Sequence, residues 1–318
     1  MSIYQELYID GLNTFLRHFS ANPAVSLNGQ YCGGVTGFLK FIETIIKKYS
    51  PENVIVCWEG GGSYRRRSID KNYKNGKRPI KLNRLNEDIP DTTENRDYQL
   101  SLLIKILNEF PIKQIYLDDC EADDIISFLC NENKNKKKLI ISSDKDYYQL
   151  IDVNTHVHSL NRKIIIDENF VIETFGVSPT NFCLARCIVG DQSDGLKGVK
   201  GVAFKTLNKI YPELSQLNSI QLDDIINESK NKINLGLNIK AHQSIIDSKS
   251  DIEKNWKLMY LTSSNLAYFQ IKKIREQLEV NKKSINKLNV LKLMNTHGIN
   301  FYDIQETFLV FTFDMESN

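Results

Sequence analysis

Val54-Ile55-Val56-Cys57-Trp58-Glu59 is a run of five apolar residues closed by an acid, and the pattern recurs in two other places. Leu7-Tyr8-Ile9 stops at Asp10, and Leu139-Ile140-Ile141 runs through Ser142-Ser143 into Asp144. Each run is short and does not alternate with polar residues, as expected of strands buried on both faces. Between them lie stretches with helical spacing: Phe38, Phe41, Ile42, Ile45 and Ile46, then Leu100, Leu103, Ile104, Leu107 and Phe110. Strand alternating with helix predicts an α/β fold, a mostly parallel sheet flanked by helices. Crossovers bring every strand back to the same side, so the functional crevice lies outside the carboxyl ends. The acids that end the strands are therefore expected on one edge.

Five acidic clusters follow this logic: Asp10; Glu59; Glu121, Asp123 and Asp124; Asp144 and Asp146; Asp191 and Asp194. Carboxylates brought together without counter-charge repel, and some would have to take up protons. Mg²⁺ or Mn²⁺ resolves this, because hard divalent cations take oxygen ligands and keep several waters. Two such ions roughly 4 Å apart bracket an in-line displacement at phosphorus, one activating water and one stabilising the leaving oxygen. The blander reading of a single acid after a strand is a turn former or helix cap. In Tyr116–Leu129, YLDDCEADDIISFL, a helix starting near Glu121 buries Ile125, Ile126 and Leu129 while Glu121 and Asp124 share another face. Acids in a first helical turn also favour the macrodipole.

Ser63 to Arg84 holds nine Lys or Arg residues and one acid, Asp70, in a chain of net charge +2. Such segregation is the footprint of a polyanion partner, the alternative being a solvated basic loop. Were the segment helical, Arg67, Lys71, Lys74 and Arg78 would share a face, but Asn72, Asn75 and Gly76 weaken that helix and Pro79 ends it. A basic element that orders on substrate is the expectation. Further on, GDQSDGLKGVKGVAFKTL (Gly190–Leu207) puts Asp191 and Asp194 in a loop, then Lys197, Gly198, Lys200 and Gly201, then Lys205 in a new helix. Glycines ahead of a helix let backbone N–H groups approach a phosphate, gripping a nucleic-acid backbone without reading bases.

Taken in order, YIDGLN, VCWEGGGSYRRR with NYKNGKR, CEADDII, SSDKDYYQL and GDQSDGLKGVKGVAFKT resemble the 5′-nuclease family. These are the flap endonucleases and 5′→3′ exonucleases of bacteriophages and bacterial DNA polymerases. The resemblance runs from about Leu7 to Lys209. It implies a PIN-like nuclease domain over residues 1–178, with a helical arch or clamp at about 60–95. Residues 179–318 would hold a helix-three-turn-helix duplex-binding element and a helical extension. In relatives that element holds a monovalent cation, often K⁺, on backbone carbonyls. Carried over, Asp10, Glu121, Asp123 and Asp124 would serve one divalent ion, and Asp144, Asp146, Asp191 and Asp194 a second. Tyr64, Arg65, Arg66, Arg67, Lys71, Lys74 and Arg78 match the arch region, with Lys74 and Arg78 positioning the scissile phosphate. Lys197, Gly198, Lys200, Gly201 and Lys205 would hold the duplex. The family usually has Asp where this chain has Glu59, so that residue could bind metal directly, through water, or not at all.

Composition agrees. At 318 residues and 41% hydrophobic, the chain can bury a substantial core. It has no run of about 20 apolar residues and no signal-peptide pattern, so an intracellular, cytoplasmic protein is expected, in the host cytoplasm if phage-encoded. The six cysteines lack CxxC spacing, which suggests neither disulfides nor a zinc site, and Cys183 and Cys187 read as core-facing. His156 and His158 read as one face of a strand. After about Tyr211 the pattern suggests helices packing on the duplex-binding side, and the apolar run Phe308–Phe313 a terminal strand or interaction segment.

Three functions compete. The first is a monomeric, metal-dependent 5′-nuclease acting on flaps, nicks, gaps and RNA–DNA hybrids, with a single-strand-binding protein or clamp as a partner. The second is a catalytically weak binder of branched nucleic acid with the same fold. The third is a topoisomerase-primase-like phosphotransfer fold built on Asp144-Lys145-Asp146, which does not predict the glycine segment.

Overall fold

The computed structural model describes residues 3–74, 93–237, 239–280, 284–300 and 304–316, the side chains of 239 and 312–316 excepted. Along the chain come β1 (Glu6–Asp10), α1 (Gly11–Ala21), α2 (Gly33–Tyr49), β2 (Asn53–Trp58), α3 (Tyr64–Ile69), α4 (Thr93–Leu107) and β3 (Lys113–Tyr116). There follow α5 (Ala122–Glu132), β4 (Lys138–Ser142), β5 (Thr155–Ser159), β6 (Ile164–Ile166), α6 (Glu168–Phe175), α7 (Pro179–Val189) and α8 (Phe204–Ile210). The remaining helices are α9 (Leu222–Asn234), α10 (Ile239–Asp247), α11 (Lys249–Met259), α12 (Tyr268–Glu279), α13 (Lys287–Thr296) and α14 (Ile304–Glu316). Packing divides the chain into two compact units: Met1–Gly61 with Arg78–Ser143 and Leu266–Asn318, and Gly62–Lys77 with Asp144–Asn265. These units do not coincide with the division expected at residue 178.

In the first unit β1 pairs in parallel with β2 and with β4, and β2 pairs in parallel with β3. The apolar runs are fully buried, Leu7, Ile9, Val56, Leu139, Ile140 and Ile141 each at 0–1% exposure, which is why they do not alternate. Register places Asp10 opposite Cys57 and Trp58 opposite Tyr116, so the carboxyl ends share one edge. Lys138 opens β4 fully buried, its ammonium donating to the carbonyls of Asn133, Lys134 and Lys136, and so holds the turn that joins α5 to β4.

The last three helices belong to the first unit, where the sequence suggested helices packing on an expected duplex-binding side. Gln277 of α12 seals β3: its Oε1 accepts from Tyr116 N at 3.0 Å and its Nε2 donates to Tyr116 O at 3.0 Å. The apolar run at Phe308 is helix α14, not a strand. Thr307 donates to Glu43 of α2 at 2.6 Å, and Phe311 packs 4.8 Å from Phe110, with Leu309 turned outward at 52% exposure. A short continuous apolar run has no period that separates the two states.

The second unit holds the antiparallel β5–β6 pair and helices α6 to α11. Rings of Phe175, Phe182 and Phe204 meet at 5.1–5.9 Å and lock α6, α7 and α8 together. Cys183 and Cys187 are buried there as free thiols. Among the described residues no helix is long and apolar enough to cross a membrane.

Candidate active site

The first unit carries five of the acids where its strands end. Asp10 closes β1 and caps α1, its Oδ1 accepting from Asn13 N at 3.2 Å while Ser142, at the end of β4, donates to Oδ2 at 3.1 Å. The cap and the candidate metal ligand are thus the same side chain. Glu59 follows β2 and is exposed; the backbone beyond it is pinned by Gly60 N to Cys120 O and Asp119 N to Gly60 O, both 2.9 Å. Glu121 is the N-cap residue of α5, with Asp123 and Asp124 in its first turn. Glu121 and Asp124 are each 2% exposed, far more enclosed than carboxylates placed only to suit a helix dipole.

The second unit assembles its acids around two turns. Asp144 caps the 3-10 helix Lys145–Leu150, accepting from Asp146 N at 2.9 Å, which turns Asp146 inward. Gly190, at φ 85°, ends α7 and delivers Asp191, whose Oδ1 accepts from Ser193 N at 2.8 Å and Ser193 Oγ at 2.6 Å. Ligand oxygens of Asp146, Asp191 and Asp194 all lie within 4.8 Å of one another. Burial, then the charges of Asp144, Asp194 and Asp191, push the Asp146 carboxyl up to about 8, against the pull of Arg186. Burial works upward on Asp191 too, but Ser193 and Arg186 outweigh it and hold that carboxyl below its ordinary value. Three hard oxygen donors in this spacing, one of them reluctant to ionise alone, fit a hard divalent cation.

Arg186 was not among the residues the sequence singled out. Its Nη2 lies 3.1 Å from Asp146 Oδ1 and also pairs with Asp191 Oδ2, at 11% side-chain exposure. A signal was available: Arg186 is the one charged residue in the α7 sequence PTNFCLARCIV, directly before the acidic loop.

The glycine segment forms successive turns between α7 and α8. Val199 N donates to Ile188 O at 2.7 Å, and Gly198 passes so near Val189 that a Cβ would meet its carbonyl oxygen at 1.9 Å. Lys197, Gly198, Lys200, Gly201 and Lys205 are all exposed, and α8 begins without a side-chain cap. Asn255 of α11 braces the segment from within, donating to Cys187 O at 3.0 Å and Lys197 O at 2.9 Å.

The basic segment departs from expectation. Helix α3 ends at Ile69, Asp70 is extended, and Lys74 sits at φ 52°, so Arg67, Lys71 and Lys74 do not lie along one helix; Arg78 lies outside the described residues. Tyr64 is 71% exposed, and Lys71 and Lys74 are exposed. Arg66 is a correction: it is 1% exposed, its Nε donating to Leu258 O at 2.8 Å, and cannot also grip a phosphate. Arg65 binds the neighbouring carbonyl of Lys257 at 2.6 Å, and Lys254 pairs with Asp70 at 2.6 Å, so α3 is fastened to the C-terminal end of α11. Truncating Arg66 to Leu strips a buried carbonyl of its donor and is expected to destabilise the protein by about 3 kcal/mol. Urea unfolding measures this. The salt dependence of DNA binding should not change, whereas loss of a phosphate contact would lower its slope by about one.

A mostly parallel sheet flanked by helices, with acids where its strands end, is the PIN-like 5′-nuclease architecture. Residues 5–176 match the family described as the 5′-3′ exonuclease, N-terminal resolvase-like domain. The chain belongs to the 5′-3′ exonuclease family. It is 31% identical over 219 residues to a 5′-3′ exonuclease of Buchnera aphidicola subsp. Schizaphis graminum, covering 67% of this chain and 72% of that protein. It is 29% identical over 289 residues to a 5′-3′ exonuclease of Aquifex aeolicus, covering 89% of each. Its fold matches that of the bacteriophage T5 D15 flap endonuclease, solved as a pseudo-enzyme–product complex with DNA and metal ions. That match has a TM-score of 0.67 at 20% identity and covers 87% of this chain and 98% of that one.

Proposed function

We propose that the protein is a divalent-metal-dependent phosphodiesterase that cuts 5′ flaps and trims 5′ ends at nicks and gaps, and that it also removes RNA from RNA–DNA hybrids. The observation that carries this reading is the array of Asp146, Asp191 and Asp194, partly neutralised by Arg186, with Asp191 and Asp194 in a loop that leads directly into exposed lysines and glycines. Two Mg²⁺ or Mn²⁺ ions would be held, one by Asp10, Glu121, Asp123 and Asp124, with Glu59 beside them, the other by Asp144, Asp146, Asp191 and Asp194. Bound metal supplies an activated water and charge stabilisation at phosphorus, leaving a 5′-phosphate and a 3′-hydroxyl. Arg186 holds Asp146 and Asp191 together and limits their mutual repulsion. Lys197, Lys200 and Lys205, with the backbone at Gly198 and Gly201, grip a duplex through phosphates and without sequence preference, a K⁺ ion stiffening the turns. Tyr64, Arg67, Lys71, Lys74 and Arg78 steer the single strand, with Lys74 and Arg78 at the scissile phosphate. The relatives named as 5′-3′ exonucleases and the DNA complex of the T5 enzyme support this assignment.

The test is cleavage of a 5′-labelled flap duplex and of an RNA–DNA hybrid in Mg²⁺, in Mn²⁺ and in EDTA. Metal-dependent product near the branch is expected, with product from the hybrid as well. Tight flap binding without product in either metal would favour a branched-DNA binder, with the exposed Glu59 as the departure to examine first.

A further inference from the structure

Helix α12 is fastened to β3, the loop after it and α5 through its second half, and its first turn presents two aromatic rings to solvent. Tyr268 is 81% and Phe269 69% exposed, and Phe269 is the one phenylalanine among the described residues with so open a position. Single exposed apolar residues are ordinary on protein surfaces. Here the helix that carries the pair is held firmly. Gln277 takes both backbone groups of Tyr116, Lys273 pairs with Asp118 at 3.3 Å, and Arg275 pairs with Glu132 at 2.9 Å. The rings are therefore carried on a rigid support and can be stacked upon without ordering a loop.

Their position follows from those contacts. Asp118 lies just past the end of β3, in the loop whose next two residues are tied to Gly60, the neighbour of Glu59. Lys273, which holds that loop, is one helical turn from Phe269, so the rings flank the edge where the strands deliver their acids. Tyr116, 46% exposed, belongs to the same corner. The stretch that carries the rings holds two cations, Lys273 answered by Asp118 and Lys272 only loosely by Glu276 at 3.8 Å, one turn further along the helix. From Leu266 to Lys273 there is no acid, and Lys272 lies four residues from Tyr268 and three from Phe269, on the helix face between them.

We infer that the first turn of α12 is a stacking platform for unpaired bases, Tyr268 and Phe269 taking base faces while Lys272 takes the intervening phosphate. This rests on the nuclease reading and adds to it a site for the single-stranded part of the substrate. Stacking tolerates any base, in keeping with a protein that reads structure and not sequence. A protein partner fits less well. Two rings of roughly 150–250 Å² each fall well short of the about 800 Å² per side of a stable protein interface.

The experiment measures binding of fluorescent oligothymidylate and of a blunt duplex to the full chain and to Tyr268→Ala/Phe269→Ala. The expected result is about a tenfold or greater loss for oligothymidylate, with duplex affinity unchanged. Tyr268→Phe, which keeps the ring, should bind like the parent, and Lys272→Ala should lower the salt slope for oligothymidylate by about one. Oligothymidylate binding within twofold of the parent in the double variant would overturn the platform. So would a change in the variant's oligomeric state by sedimentation, which would assign the rings to protein contact. Flap cleavage by the parent in Mg²⁺ is run separately. Its absence would count against the nuclease reading, while the affinity comparison still decides the platform.

Discussion

Asp191→Asn is expected to lower single-turnover cleavage of a 5′-flap duplex in Mg²⁺ by about a thousandfold or more. The substitution preserves shape and leaves an oxygen able to accept from Ser193 N and Oγ, so the loop between Gly190 and Leu196 should keep its form. It removes a charge from an array whose three carboxylates lie within 4.8 Å of one another, and leaves Arg186 answered by Asp146 alone. Metal affinity therefore falls with the reaction. Flap binding should persist, because the residues proposed to grip the duplex lie further along the same loop. Parent-like rates in the variant at saturating Mg²⁺ would remove Asp191 from the site.

Gly198→Ala should produce the second large effect. A Cβ there would meet the carbonyl oxygen of Val189 at 1.9 Å and its carbon at 2.2 Å. Both are backbone atoms at the end of α7, so no side chain can swing aside. The turn must open, breaking the bonds from Val199 N to Ile188 O and from Asn255 to Lys197 O that shape it. The cost is expected at about 3 kcal/mol, within the range of strain and overpacking in a closed backbone turn. Duplex affinity should fall at least tenfold even at temperatures where the variant remains folded. Gly195→Ala is the control for glycine loss in the same loop, since nothing lies within 4 Å of its would-be Cβ, although its φ of 73° adds some strain. Equal duplex affinity in Gly198→Ala and the parent would show that the turn's tight form is not what the nucleic acid needs.

Much of this was legible in the sequence because the strands are short, unalternating and closed by acids. Val54–Glu59 and Leu7–Asp10 announce a parallel sheet and its acidic edge in the same few letters. What failed to be legible is instructive in its particulars. Arg65, Arg66 and Arg67 read as one basic patch, yet successive helical residues point about 100° apart, so a packed helix must turn one of three inward. Arg66 is that one. Arg186 sits inside an apolar helix, and nothing next to it in the sequence names its partners. The carboxylates it answers lie 40 residues upstream at Asp146 and 5 residues downstream at Asp191. The segment after Leu266 resisted reading because its fastening to the sheet is made by single polar side chains, Gln277 above all, and these carry no periodic signature.

Gln277 has a consequence for how the protein behaves among copies of itself. β3 is the outer strand of the parallel sheet, and an outer strand is a template on which another chain can add. The glutamine amide imitates one residue of a neighbouring strand, occupying both the donor and the acceptor of Tyr116 without offering a further edge. A shortened protein ending before α12 would lose this false neighbour along with the helix behind it. It would then carry an open ribbon beside Trp58 and Tyr116, and its tendency would be to associate through that ribbon.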